Sequence, residues 1–259
     1  MSINLINECR SFEVNSSIVE WDMKRAGLNL TKEFGLLPDS KILELEKLPK
    51  KDCDIAIGKT QLRDPVFSKN LELKFTEAMN MFLEANDIDK DYDCTSIKKD
   101  ACFVINKEIK YDSFGNFIRF IPKNEYHAYV YIKPLEFYFK RDGLIDLKGL
   151  SGDRKTRNQF LDIHKDGMIN FLFYIINLAE TTNMDKKKMH QMLHQFVLLY
   201  KKKELDFDYY REFNLESRFR YQFLDGEIMA DNIDSVMLEK VNIEYNYIHL
   251  ILPLINLIC

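Results

Sequence analysis

Residues 17–30, SIVEWDMKRAGLNL, and residues 94–105, CTSIKKDACFVI, decide how this chain is read. In the first, an apolar run ends on Asp22 and gives way to a polar, glycine-containing turn. In the second, two short apolar runs flank Lys98, Lys99 and Asp100 at a bend. Their β-branched and aromatic content marks these runs as strands. A carboxylate where a buried strand meets water is costly unless something cationic neutralises it, so two such positions suggest a shared divalent-metal site. Each acid also has an ordinary structural reading. Asp22 would serve as the N-cap of the helix that follows. Asp100, after two lysines, would be a solvent-side ion pair worth about 0–1 kcal/mol. At this level both readings stay open.

Working outward, SIVEWDM reads as a strand, GLNLTKEFG and SKILELEKL as short helices, and SKNLELKFTEAMNMFLEAN as a longer one. In that longer helix Leu71, Phe75, Ala78, Met79 and Phe82 recur at spacings of three and four and form one apolar face. CTSIKK, ACFVINKEIKY, NFIRFIPK and EYHAYVYIKPLEFYFK read as strands. Near residue 150 the texture turns helical, in KDGMINFLFYIINLAETT and DKKKMHQMLHQFVLLYKKKEL. The expected fold is therefore α+β: an antiparallel sheet with helices over residues 1–150, then a mostly α-helical region over 151–259. The terminal IHLILPLINLIC is too short and Pro-interrupted to span a bilayer, and is expected to pack on the body as a strand or helix.

Composition narrows the class of protein. With 259 residues, 46% hydrophobic and 30% charged, the chain can bury a sizeable core. Its formal net charge of −4 gives no global pull on polyanions, so nucleic-acid contact would have to come from local basic clusters. Five cysteines stand far apart with no CxxC or Cys/His spacing, which fits reduced thiols and argues against a zinc site or a disulfide framework. With no secretory-type apolar core near the N-terminus, the expected location is the cytoplasm, away from membranes.

The order of the pieces is that of a polymerase palm followed by a thumb, and the chain resembles a much reduced B-family DNA polymerase of phage or mobile-element type. WDMKRAGLNL resembles that family's first palm motif, an Asp closing a strand before a turn into a helix. DYDCTSIKKDACFV resembles the approach to the second acidic motif, with Asp100 in the place of the principal catalytic carboxylate. FYFKRDGLIDLKGL resembles the lysine-containing element, with Lys148 standing for a lysine near the primer terminus. The resemblance implies a palm-like sheet with a thumb-like helical lobe and template-directed nucleotidyl transfer. Asp22 and Asp100 would be the catalytic carboxylates and, with the Met23 backbone carbonyl, would hold two Mg2+ or Mn2+ ions. Lys59 and Arg63, in IAIGKTQLRDP, would bind the nucleotide. The partners implied are a primer-template, nucleoside triphosphates and further polymerase subunits. Two departures stand out. Gly27 falls where that family places a bulky aromatic, and Lys98 and Lys99 precede a single acid where it normally carries two.

Beyond these motifs, YYREFNLESRFRY interleaves Arg211, Arg218 and Arg220 with aromatics, a pattern suited to phosphate contact and base stacking. The lysine run 186–188 reads as a solvated helix end, and the run 201–203 as either a solvated end or a phosphate-tracking rim. His190 and His194, four apart without an accompanying HExxH, read as a helix-surface pair. The alternative function is a noncatalytic protein that keeps a polymerase-like fold to bind nucleic acid or a partner, including a phage protein acting on host machinery. The lysines before Asp100 suit that reading.

Overall fold

A computed structural model describes residues 4–210, 220–223, 226–229 and 251–258. The chain divides into two compact units, Met1–Arg10 with Ser16–Tyr126, and Ser11–Asn15 with His127–Cys259. The division falls between Tyr126 and His127, inside a strand, whereas the sequence texture changes near residue 150.

In the first unit, strands β1 (Leu5–Ile6) and β2 (Phe12–Met23) precede four helices. These are α1 (Ala26–Glu33), α2 (Asp39–Glu46), α3 (Lys50–Arg63) and α4 (Pro65–Ala85). Strands β3 (Cys94–Ile97), β4 (Ala101–Ile105), β5 (Ser113–Phe114) and the long β6 (Ile118–Ile132) follow. The strand order is β1–β3–β4–β2–β6, with β5 paired to β6. β1 with β3, β3 with β4, β4 with β2 and β5 with β6 are antiparallel. Side chains along β2 alternate between faces. Trp21 and Met23 join the core beneath the helices, while Glu20 and Asp22 fall on the opposite face.

Helix α4 buries the face expected of it: Leu71, Phe75, Ala78, Met79 and Phe82 are all sealed. It starts three residues earlier than the sequence suggested. Asp64 accepts from the amides of Val66 and Phe67, and Pro65 occupies the first turn, where no amide is needed. Phe82 stacks on Phe120 at 4.3 Å and meets Trp21 at 5.8 Å, which ties the helix to both flanking strands. Gly58 lies inside α3. Beneath the β3–β4 hairpin, Cys94 and Cys102 are fully buried.

In the second unit the distal half of β6 pairs with β7 (Leu135–Phe139), and β7 with β8 (Ile145–Lys148), both antiparallel. EYHAYVYIKPLEFYFK is thus two strands, parted at Lys133–Pro134. Helices α5 (Arg154–Ile163), α6 (Asn170–Thr181) and α7 (Lys186–Lys201) follow, with a π-helical turn at Lys165–Ile169. Phe137, Phe139 and Leu147 share a core with Phe171, Phe196 and Tyr200. A short hairpin pairs β9 (Arg220–Phe223) with β10 (Gly226–Met229). The C-terminal segment forms a helix, α8 (Leu252–Ile258), and Ile251 and Leu254 are buried in this core, as expected of a tail packed on the body. The whole is α+β with an antiparallel sheet. His190 and His194 are exposed on α7, and Asp185 caps that helix through the amides of Lys187 and Lys188.

Candidate functional site

Antiparallel pairing places Asp22 directly opposite Ala101, so Asp22 and Asp100 come together at the same end of neighbouring strands. Paired α-carbons across such a ladder are about 5 Å apart. The Met23 amide donates to the Asp100 carbonyl at 2.8 Å and fixes the hairpin turn against the end of β2. The chain then leaves the strand: Lys24 donates to the Arg119 carbonyl at 2.8 Å, and Arg25 takes a left-handed φ of 46° before α1 begins. The N-cap of α1 is Arg25, which overturns the reading of Asp22 as a helix cap.

Asp22 and Asp100 both line one cleft of about 230 Å³ within the first unit. Its walls include Met23 and Gly27 from the turn and α1, Lys50, Asp54 and Gln61 from α3, Phe75 from α4, and Lys99 beside Asp100. Residues 50, 54, 57 and 61 repeat at helical spacing and share one face of α3. Lys50 opens that helix, so its N-terminus, the positive end of the helix dipole, lies at the cleft. The Lys99 ammonium sits 4.5 Å from the centre of the Phe75 ring. Gly27 packs against Ile57: a Cβ there would approach Ile57 Cδ1 to 3.2 Å.

Asp22 has a second set of neighbours on β2 and β6. Lys123 Nζ lies 3.6 Å from Asp22 Oδ2 and 3.6 Å from Glu20 Oε1. Glu20 is buried, and its other oxygen accepts from Asn124 Nδ2 at 2.6 Å and from the Tyr126 hydroxyl at 3.0 Å. Burial pushes the Asp22 carboxyl above its ordinary value; Lys123 opposes the rise, Asp100 and Glu20 add to it, and Lys50 opposes it. Burial alone would lower the Lys123 ammonium, but the Glu20 and Asp22 carboxylates outweigh it and hold the group above its usual range.

The oxygen-only donors at this cleft suit Mg2+ or Mn2+ and not a thiolate-seeking metal. Among the described residues no three His, Cys, Asp or Glu side chains group closely enough to hold a metal unaided. An ion held by Asp22 and Asp100 would complete its shell with water and phosphate oxygens, the arrangement Mg2+ favours.

A family model described as Bacteriophage PBS1 gene 130 protein matches residues 2–259. The chain belongs to this family. No curated protein matches it. For a member of this phage family, the other residues singled out in the sequence fall in different places. Lys59 and Arg63 are exposed and do not line the cleft: nine residues after Lys50, Lys59 lies half a helical turn away from it. Lys148 belongs to the second unit, on β8 opposite Glu136. Arg211 and Arg218 lie outside the described residues, and of Arg220 only its backbone place in β9 is described. What sequence reading missed in this family member is Glu20, Lys50, Asp54, Gln61 and Lys123. Two signals pointed to part of that set: the i, i+2 spacing of Glu20 and Asp22 on a strand, and the i, i+4, i+7, i+11 spacing of Lys50, Asp54, Ile57 and Gln61. Among the described residues no helix is long and apolar enough to cross a membrane.

Proposed function

We propose that the chain is a template-directed nucleotidyltransferase built on a polymerase-like palm, with Asp22 and Asp100 as its metal-holding carboxylates. The observation that carries this reading is their meeting, from positions 78 apart in sequence, at the end of adjacent strands in a cleft that also presents Lys50 and Lys99. Divalent ions bound at such carboxylates polarise the phosphoryl group and make the attacking hydroxyl more acidic. Lys50, Lys99 and the N-terminus of α3 supply positive charge for a triphosphate, the role first given to Lys59 and Arg63. Primer-template contact stays with the residues that the resemblance and the sequence pattern gave it, Lys148, Arg211, Arg218 and Arg220.

Primer extension with Mg2+ or Mn2+, using ribo- and deoxyribonucleotides in separate arms, tests this. The wild-type chain should extend a primed strand, and Asp22→Asn and Asp100→Asn should lose that activity while remaining folded. Extension that survives either substitution removes the reading. The alternative, a noncatalytic module with a polymerase-like fold, is favoured by one feature: Lys123 already satisfies Asp22 from within the protein. On that alternative nucleic acid binds without extension, and neither aspartate affects it.

A further inference from the structure

The Glu20–Lys123–Asp22 group is built asymmetrically. Glu20 has 3% of its side chain exposed and is held by Asn124 and Tyr126, so it has little freedom to turn. Asp22 is anchored at the strand end, with 16% of its side chain exposed. Lys123 alone reaches in from water: its side chain is 49% exposed, and its ammonium rides on a flexible four-carbon stem. It sits equidistant from the two carboxylates and makes its closest approach to each at 3.6 Å, longer than a tight charge-assisted hydrogen bond. A fixed acid, an anchored acid and a long-stemmed cation make a trio that opens at one point only, the lysine.

We infer that Lys123 is the resident counter-cation of Asp22, holding that carboxylate while the cleft is free of metal and withdrawing toward solvent when a divalent cation binds. This rests on the reading of Asp22 as a metal-holding residue. Lys123 is then a positioning residue: it touches no substrate, and it sets the cation concentration at which the cleft fills. An ammonium and a divalent ion on one carboxylate repel each other, so the lysine's departure raises the cation requirement, and a neutral side chain of similar length lowers it. Glu20 remains as the anion to which Lys123 stays tethered after it releases Asp22.

The test is Mn2+ binding to the full chain, read from the loss of the free-ion paramagnetic resonance signal and without any activity assay. Lys123→Met should bind Mn2+ roughly 2- to 5-fold more tightly than wild type, the fold-change equivalent of an ion pair of this exposure. Lys123→Arg should stay near wild type, and Asp22→Asn should lose the site. Thermal melts confirm that each variant is folded. In the wild-type chain, the ε-methylene resonance of Lys123 should move toward that of a free lysine as Mg2+ is added, a measurement that needs no variant. Unchanged or weaker Mn2+ binding in Lys123→Met, or a Lys123 resonance indifferent to Mg2+, overturns the inference and leaves the enzymatic reading standing. Failure of the wild-type chain to bind Mn2+ overturns both.

Discussion

Asp22 carries a charge that its surroundings resist. Its carboxyl is raised by burial and by the Asp100 and Glu20 charges, and only Lys123 and Lys50 work against the rise. An acid raised in the folded state keeps its proton there to higher pH than in the unfolded chain. Between the ordinary carboxylate value and the raised one the folded state binds more protons, so stability falls as pH climbs through that window and stays reduced at neutral pH. Asp22→Asn is therefore expected to raise the melting temperature at pH 7, with the gain vanishing at pH 3. A melting temperature that drops at neutral pH would contradict the assigned sign. Asp93 behaves oppositely. Burial would raise it, but the Lys107 ammonium at 2.6 Å and the Asp89 amide hold it below its usual range. Its contribution is present above the usual carboxylate range and is lost as pH falls through the lowered value. Lys107→Met should accordingly lower the melting temperature at pH 7 more than at pH 3. Asp22 and Asp100 were legible in the sequence because an acid closing an apolar run breaks the pattern. Glu20 carried only its i, i+2 spacing from Asp22, and Lys123 carried no local mark, because it reaches Asp22 through the pairing of β2 beside β6, from about a hundred positions away.

Helix α3 shows what order along the chain cannot say. Lys50 and Lys59 lie on one helix, between the same two acidic strands, yet only Lys50 lines the cleft. Lys50→Met should weaken nucleoside triphosphate binding roughly 10- to 100-fold, the scale of a lost charged hydrogen bond, while Lys59→Met leaves it near wild type. Equilibrium binding of a labelled triphosphate to both variants reads this directly, and equal losses would mean that the cleft face is misassigned. α4 was easy to read because five large apolar side chains repeat along one stripe. α3 was not, because Cys53 and Ile57 are its only fully buried residues and the rest of KKDCDIAIGKTQLR is mostly polar. The junction of the two helices depends on Asp64, whose side chain accepts two amides at 3.0 Å. Asp64→Ala should cost about 1 kcal/mol, measurable by denaturant unfolding. In the other unit Gly149 has φ 82°, and a Cβ there would lie 2.0 Å from the Pro134 carbonyl oxygen. No flexible side chain stands in that place to yield, so even Gly149→Ala should prevent normal folding of the β7–β8 hairpin.

On the scale of the molecule, the described residues form two hydrophobic cores, one around Phe82 and Phe120 and the other around Phe171 and Phe196. Phe82→Ala should cost about 3–5 kcal/mol and speed amide exchange through α4 and β4 before α6 and α7 respond. Uniform loosening of every element would show that the two cores open as one. The α+β class and its sheet-then-helix order were readable because strand and helix periods differ. The division between the units was not, since β6 runs through Tyr126 and His127 without glycine, proline or any change of texture at that point. Three sealed thiols, Cys53, Cys94 and Cys102, contrast with the exposed Cys9, while Cys259 lies outside the described residues. A hydrogen bond with Cys94, together with burial, holds the Cys102 thiol well above its usual range, and a protonated thiol is a poor nucleophile. In a Cys9→Ser, Cys53→Ala, Cys259→Ser background, alkylation by a maleimide becomes a clock: the hairpin that carries Asp100 takes up label only when it breathes, and the labelling rate counts those openings without any attached reporter.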